Sequence, residues 1–265
     1  MKNNEFSPSI QRALELVDAS WLPAVQAGLA AVQAANPAYL AGLIDGEFLP
    51  THGRLFAAFA LPLAKVRHVL IGEGPYPRED SATGYCFMDG AVKELWSQEP
   101  QGGLSKKVNR ATSLRNFMKM LLVADGRLTV ENTTGPALAE IAALARQPGS
   151  GFIQTLPALQ ANLEGHGFLL LNASLVFRAD VPPAKDAKAW MPFLREILGA
   201  LLAHHGAAKT LPQLVLWGKI AEQLKQVEAS HSFPHVLAEH PYNLSFIANR
   251  DMQAFFGPMH LLKHI

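Results

Sequence analysis

The chain has 265 residues, 49% of them hydrophobic and 17% charged, with a net charge of +1. That length and apolar fraction suit one large α/β domain with a sizeable core, and no shift in composition forces a second. Near-neutral charge excludes a global basic field for finding nucleic acid and leaves only a local basic face. Cys86 is the only cysteine, which excludes internal disulfides and any four-cysteine iron–sulfur site. Residues 1–20 are polar and mixed in charge, unlike a secretory signal. No apolar run reaches the ~18–20 residues of a membrane-spanning helix. A cytoplasmic protein with no membrane partner is expected.

Ser7-Pro8 reads as a helix start, with Ser7 as N-cap and Pro8 at the first helical position. From Ser9 to Ala35, Ile10, Leu14, Leu16, Val17 and Leu22 recur at roughly helical spacing, and Pro23 is expected to break or kink the helix. Gly42 to Pro50 reads as a loop, and Leu55 to Phe59 as the approach to a strand. Val66 to Ile71 is a short apolar run stopped by glycine, the mark of a buried parallel strand. Gly90 to Asn109, rich in Gly, Lys and Gln, is predicted to be a mobile surface loop. Phe168 to Asn172, Leu214 to Trp217, and Val236-Leu237 repeat the strand pattern. Helices are expected over Ser113 to Val123, Pro192 to Ala203 and Ile220 to Gln226. Strands alternating with helices argue a parallel sheet with helices on both faces. Ligands in such sheets bind beyond the carboxyl ends of the strands. Gly72 to Tyr76, Asn172 and His240 all fall at or just past a predicted strand end, which marks one cleft.

Two segments carry a resemblance. Ile71-Gly72-Glu73-Gly74-Pro75-Tyr76 runs on to Gly84-Tyr85-Cys86-Phe87, and His240-Pro241-Tyr242-Asn243-Leu244-Ser245 lies near the C-terminus. Together they resemble the active-site motifs of the uracil-DNA glycosylase superfamily, family 1 in particular. That family's first motif reads Gly-Gln-Asp-Pro-Tyr-His and continues to Gly-Leu-Cys/Ala-Phe; its second reads His-Pro-Ser-Pro-Leu-Ser. The spacing from Tyr76 to Gly84 matches without a gap. Ser113-Leu114-Arg115-Asn116, Leu216-Trp217-Gly218-Lys219 and Phe255-Phe256-Gly257 with His260 also resemble family segments, in order, over about Val66 to Leu262. The fold implied is α/β: a single domain with a central parallel four-stranded sheet flanked by helices. Residues 1–50 would form a helical N-terminal extension and residues 66–262 the motif-bearing core.

The resemblance implies roles residue by residue. Breaking an N-glycosidic bond releases the base as an anion, so a preorganised donor aimed at its oxygen is worth ~2.7–4 kcal/mol. His240, as a neutral imidazole, is the matching donor. Asn172 matches the amide that reads the base edge, where a donor and an acceptor side by side suit a pyrimidine. Phe87 matches the stacking ring, and Tyr76 the tyrosine that guards C5 against the thymine methyl. Leu244 matches the wedge pushed into the base stack and Ser245 the phosphate contact. Lys106, Lys107 and Arg110, with Ser113 and Arg115 nearby, form the best local basic patch and are expected on a DNA-facing rim.

Departures from the pattern matter as much. Gly74 stands where the family keeps its water-activating Asp, with Glu73 adjacent as a substitute and Glu79 and Asp80 farther along the loop. Pro77 replaces a His, and Tyr242-Asn243 replaces Ser-Pro, adding a ring and an amide next to the reacting base. A roomier and more polar site suits a base larger than uracil. The expected function is therefore a monofunctional DNA glycosylase acting on a modified cytosine, hydroxymethylated or glycosylated, in phage DNA. The alternatives are a uracil-DNA glycosylase of base-excision repair and a catalytically silent DNA-binding homologue. No lysine in either motif offers a Schiff base. No cofactor is implied, and no metal: His231/His235 and His260/His264 have the spacing of a helical zinc pair, but neither pair encloses a carboxylate, and Pro234 prevents a helix between the first two. DNA is the expected partner, and a monomer suits an enzyme that tracks it.

Overall fold

The computed structural model describes residues 6–44, 47–206 and 210–264. Parts of the expected polar N-terminus and of the Gly42 to Pro50 loop lie outside the described residues. Among the described residues, four strands form an all-parallel sheet: β1 (His68–Gly72), β2 (Phe168–Asn172), β3 (Gln213–Trp217) and β4 (His235–Ala238), in the order β2-β1-β3-β4. His68 pairs with Phe168 and with Gln213, and Gly72 pairs with Asn172. Every residue of β2 is buried, and Val69, Leu70 and Ile71 of β1 are too. Continuous burial rather than alternation explains why these strands read as uninterrupted apolar runs. The edge strand β4 alternates instead, with His235 and Leu237 exposed.

The helices begin with α1 (Pro8–Leu14), α2 (Leu22–Ala35), α3 (Pro37–Ala41), α4 (Lys106–Arg110) and α5 (Thr112–Ala124). They continue with α6 (Gly135–Ala145), α7 (Leu156–Gly165), α8 (Pro183–Gly206), α9 (Ile220–Leu224) and α10 (Arg250–Phe256). The chain clusters into two compact units, each discontinuous in sequence. The first comprises Met1–Met88, Gly167–Leu216 and Ile220–Val236; the second comprises Asp89–His166, Trp217–Lys219 and Leu237–Ile265.

In the first unit, Trp21, Val25 and Leu29 pack into one apolar cluster with Val69, Ile71, Trp190, Phe193 and Leu216. Residues of the N-terminal helices are therefore part of that core. Gly28 of α2 lies so close to the Phe193 ring of α8 that an added Cβ would sit 2.5 Å from it. Tyr39 donates to Asp186 at 2.6 Å, and Arg178 pairs with the same carboxylate at 2.6 Å, which ties α3 to α8. In the second unit, Phe117 of α5, Phe246, Phe256 and Trp217 meet edge to face or tilted, with centroids 5.1 to 6.1 Å apart.

Several expectations need correction. Ser7 holds the N-cap position of α1, but its side chain makes no capping hydrogen bond. The first helix ends at Leu14, and Pro23 lies in the first turn of α2, where its missing N–H costs nothing, so it starts a helix instead of kinking one. Leu55 to Phe59 is a 3-10 helix (Arg54–Ala60), buried throughout, not a strand approach. Pro192 falls inside α8, which begins nine residues earlier at Pro183. Gly90 to Asn109 is held in place: Trp96 is 1% exposed, its indole donates to the Ile153 carbonyl at 2.8 Å, and α4 closes the segment.

Candidate active site

The residues of the first motif belong to the first unit. Strand β1 ends at Gly72, and its pairing with the chain beyond β2 continues past the strand. Ala173 N–H donates to the Gly72 carbonyl at 2.8 Å and Ser174 N–H to the Glu73 carbonyl at 3.1 Å. This fixes the loop backbone directly beside Asn172. A Cβ at Gly72 would stand 2.9 Å from Asn172 Oδ1 and 2.9 Å from Cys86 Cβ, so only glycine lets the three chains approach this closely. Cys86 is buried, its thiol donates to the Leu70 carbonyl at 3.1 Å, and burial pushes its pKa up. It is a packing residue, not a nucleophile.

Asn172 is 3% exposed, and its Oδ1 is buried with no hydrogen-bond partner among the described residues. A buried acceptor left unmade costs ~1–3 kcal/mol, which marks Asn172 as a candidate to receive a donor from outside the protein. Phe87 adopts a φ of 65°, in the left-handed region that a bulky side chain rarely enters. Strain of that kind costs ~1–3 kcal/mol and concentrates at functional sites. The Tyr76 hydroxyl donates to the Phe87 carbonyl at 3.5 Å, which keeps the two expected base contacts together.

Gly74 is exposed, and its φ lies outside the left-handed region. An added Cβ would meet Ser174 Cβ at 3.5 Å, ordinary van der Waals contact, so the backbone accepts a side chain here although none is present. Neighbouring Glu73 is exposed; its carbonyl, not its carboxylate, is tied into the fold. Glu79 is engaged elsewhere, accepting from Thr51 at 3.0 Å and lying 3.6 Å from His52. These three line a cavity of about 630 Å³ with Arg12, Glu15, Leu16 and Gly53.

The second motif belongs to the second unit. Strand β4 ends at Ala238, and His240 follows in a turn. Tyr242 N–H donates to His240 Nδ1 at 3.1 Å. Nδ1 is thus an acceptor, which puts the proton of the neutral ring on Nε2. Gly218, with φ 68°, lies against the same histidine: a Cβ there would be 2.9 Å from His240 Cβ. Asn116 of α5, fully buried, donates through Nδ2 to the carbonyls of Pro241, Tyr242 and Asn243 at 2.8, 3.3 and 3.4 Å. One amide therefore gathers the whole turn. In the sequence Asn116 matched only as part of a segment, and its signal there was a polar residue on an otherwise apolar helix face.

Asn243 is exposed, as are His240 and Ser245; Tyr242 and Leu244 are 67% and 70% exposed. Burial alone would raise the pKa of Glu239. Hydrogen bonds from Ser245, its own backbone and Asn249 outweigh that and hold it below the usual carboxylate value. Asn249 Nδ2 donates to Glu239 at 2.8 Å. Lys106, Lys107 and Arg110 on α4 are exposed, with Lys106 paired to Glu99 at 3.3 Å. Ser105 caps α4 by accepting from Val108 N–H at 3.2 Å, and Arg115 donates to the Asn109 carbonyl at 2.9 Å. Ser113 is half-buried at the start of α5. Among the described residues, no group of three or more His, Cys, Asp or Glu is arranged to hold a metal, and no helix is long and apolar enough to cross a membrane.

No protein-family profile matches the chain. It is similar to the wild-type UNG of Nitratifractor salsuginis, whose crystal structure superposes with a TM-score of 0.85 at 35% identity, covering 100% of both chains. It is 28% identical over 249 residues to a uracil-DNA glycosylase of Mycobacterium sp. strain KMS, covering 93% of this chain and 88% of that one. The crystal structure of mimivirus uracil-DNA glycosylase, at 14% identity and a TM-score of 0.51, covers 90% of this chain and 77% of its own and shares the fold. A parallel four-stranded α/β sheet of this type, with these relatives, defines the protein as a DNA glycosylase, a hydrolase of N-glycosidic bonds. The chain belongs to the uracil-DNA glycosylase superfamily.

Proposed function

We propose that this protein removes uracil from DNA as a monofunctional glycosylase. Water adds to C1′ of the deoxyribose and loses a proton to solvent, the N1–C1′ bond breaks with its electron pair going to the base, and the base leaves as an anion whose O2 is met by His240 Nε2–H. The observation that carries this reading is the hydrogen bond from Tyr242 N–H to Nδ1 at 3.1 Å, which selects the Nε2–H tautomer without a charge on the ring. Asn172, with its buried unpartnered Oδ1, would take the donor-and-acceptor edge of the base. Phe87 would stack on the base. Leu244 would enter the base stack, while Lys107, Arg110 and Ser113 meet the backbone. Ser245 would meet a phosphate through its exposed hydroxyl.

Uracil is favoured over the hydroxymethylated or glycosylated cytosine of phage DNA for a local reason. Such bases carry their substituent at C5, the position guarded by Tyr76, and the Tyr76 hydroxyl is held to the Phe87 carbonyl rather than swung away. The mycobacterial relative, a uracil-DNA glycosylase, supports the same reading. Gly74 supports a second reading, a protein that binds a flipped base without turning it over, because no carboxylate stands there to orient water. A positioned general base contributes ~10²–10⁴-fold, so slow turnover is the expected result. One assay separates all three: base release measured by mass spectrometry from a uracil-containing duplex and from phage DNA with modified cytosines. Uracil release alone upholds the repair reading. Release from modified DNA alone supports defence, and binding without release supports the silent homologue.

A further inference from the structure

The turn after His240 is fixed at the backbone on both sides of Tyr242. Its N–H donates to His240 Nδ1 at 3.1 Å, and its carbonyl accepts from the buried Asn116 amide at 3.3 Å. Both backbone polar groups of Tyr242 are engaged inside the second unit, and the ring is left outside, 67% exposed. Leu244, two residues on, is 70% exposed on the same turn. A single exposed apolar side chain needs no explanation, but two together on a turn pinned at three consecutive carbonyls form a built feature. An aromatic ring with only two torsions to settle, on a backbone already ordered, loses little entropy when it meets a partner.

We propose that Tyr242 is a DNA-stacking residue: its ring packs on the base beside the flipped nucleotide, on the same strand, rather than on the excised base itself. The proposal rests on the reading of the protein as a DNA glycosylase, and it divides the work of the turn between two side chains. Leu244 fills the gap left in a duplex, where an orphaned base stands opposite. Tyr242 needs only a neighbouring base, which single strands supply as well. Because every base has a π-face, its contribution is tolerant of flanking sequence.

The test uses the full chain and oligonucleotides carrying an abasic-site analogue with 2-aminopurine as the neighbouring base, single-stranded and duplex. Wild-type protein is expected to change the 2-aminopurine fluorescence in both forms. Tyr242→Ala is expected to abolish that change and weaken binding by about ten- to a hundredfold in both. Tyr242→Phe, which keeps the ring, should restore the signal, and Leu244→Ala should weaken the duplex alone. An unaltered fluorescence change in Tyr242→Ala overturns the proposal. So does an equal loss in Tyr242→Phe, which would assign the contact to the hydroxyl and a phosphate. Uracil release by the wild type, measured alongside, reports on the underlying reading separately: release with no Tyr242 dependence overturns the stacking alone.

Discussion

The two motif-bearing regions are fixed in opposite ways. Around Asn172 the geometry comes from strands: the register of β1 with β2 sets Gly72 against Asn172, and the pairing runs on to Glu73 and Ser174. The result is buried and strained, with an unpartnered acceptor at Asn172 and a φ of 65° at Phe87. Around His240 no sheet register helps, since β4 ends at Ala238 and the turn is exposed. There the shape hangs on side chains that grip backbone: Asn116 on three carbonyls and His240 Nδ1 on one N–H. A dry pocket for a base needs preorganised burial, whereas a surface that meets DNA needs exposed groups on a rigid turn. The strand-built region lacks a side chain at Gly74, where the resemblance puts the water-activating group; the turn-built region carries His240, the donor proposed for the leaving base.

That contrast can be broken at several points. The largest expected effect is a gain. Gly74→Asp adds the missing carboxylate on a backbone that accepts it, and kcat for uracil release should rise by ~10²–10⁴-fold with little change in KM. A flat kcat would mean that water is activated from elsewhere. On the other side, Asn116→Ala leaves three carbonyls without their donor. It should cost ~1–3 kcal/mol in chemical unfolding and lower kcat more than KM, because the histidine turn loosens while the strand-built loop beside Asn172 does not. Asn116→Asp, nearly isosteric but without the amide donor, should fall in the same direction.

Gly218→Ala is smaller. It forces a left-handed residue to carry a side chain 2.9 Å from His240 Cβ, for ~1–2 kcal/mol of lost stability and a displaced histidine, read as a reduced kcat. The smallest concerns pH. The pKa of Glu239 is lowered in the folded protein, so its stabilising contribution is present above the unfolded carboxylate value. That contribution disappears as pH falls through the folded value. Thermal melts of Glu239→Gln should lose that part of the acid-side dependence.

Much of the strand-built region was legible in the sequence. Apolar runs stopped by Gly72 and Asn172 gave β1 and β2, because burial on both faces leaves no alternation to misread. The helices α6 and α7 escaped notice: both are Ala- and Leu-rich with a proline in the first turn, and they present no clean polar face. The Gly90 to Asn109 segment looked mobile because its composition is that of a loop, while its anchor, Trp96 on Ile153, spans 57 residues of sequence. The turn-built region was legible as a motif but not as a mechanism. Asn116 reaches Pro241 across 125 residues, and no local pattern announces such a contact.

The most direct measurement is single-turnover release of uracil from a duplex by the wild-type protein and by His240→Ala. A preorganised donor at the leaving oxygen is worth ~2.7–4 kcal/mol, so the variant should release uracil ~10²–10³-fold more slowly while binding the DNA comparably. Equal rates for the two proteins would contradict the role given to His240 Nε2. No uracil release by the wild type would contradict uracil as the substrate.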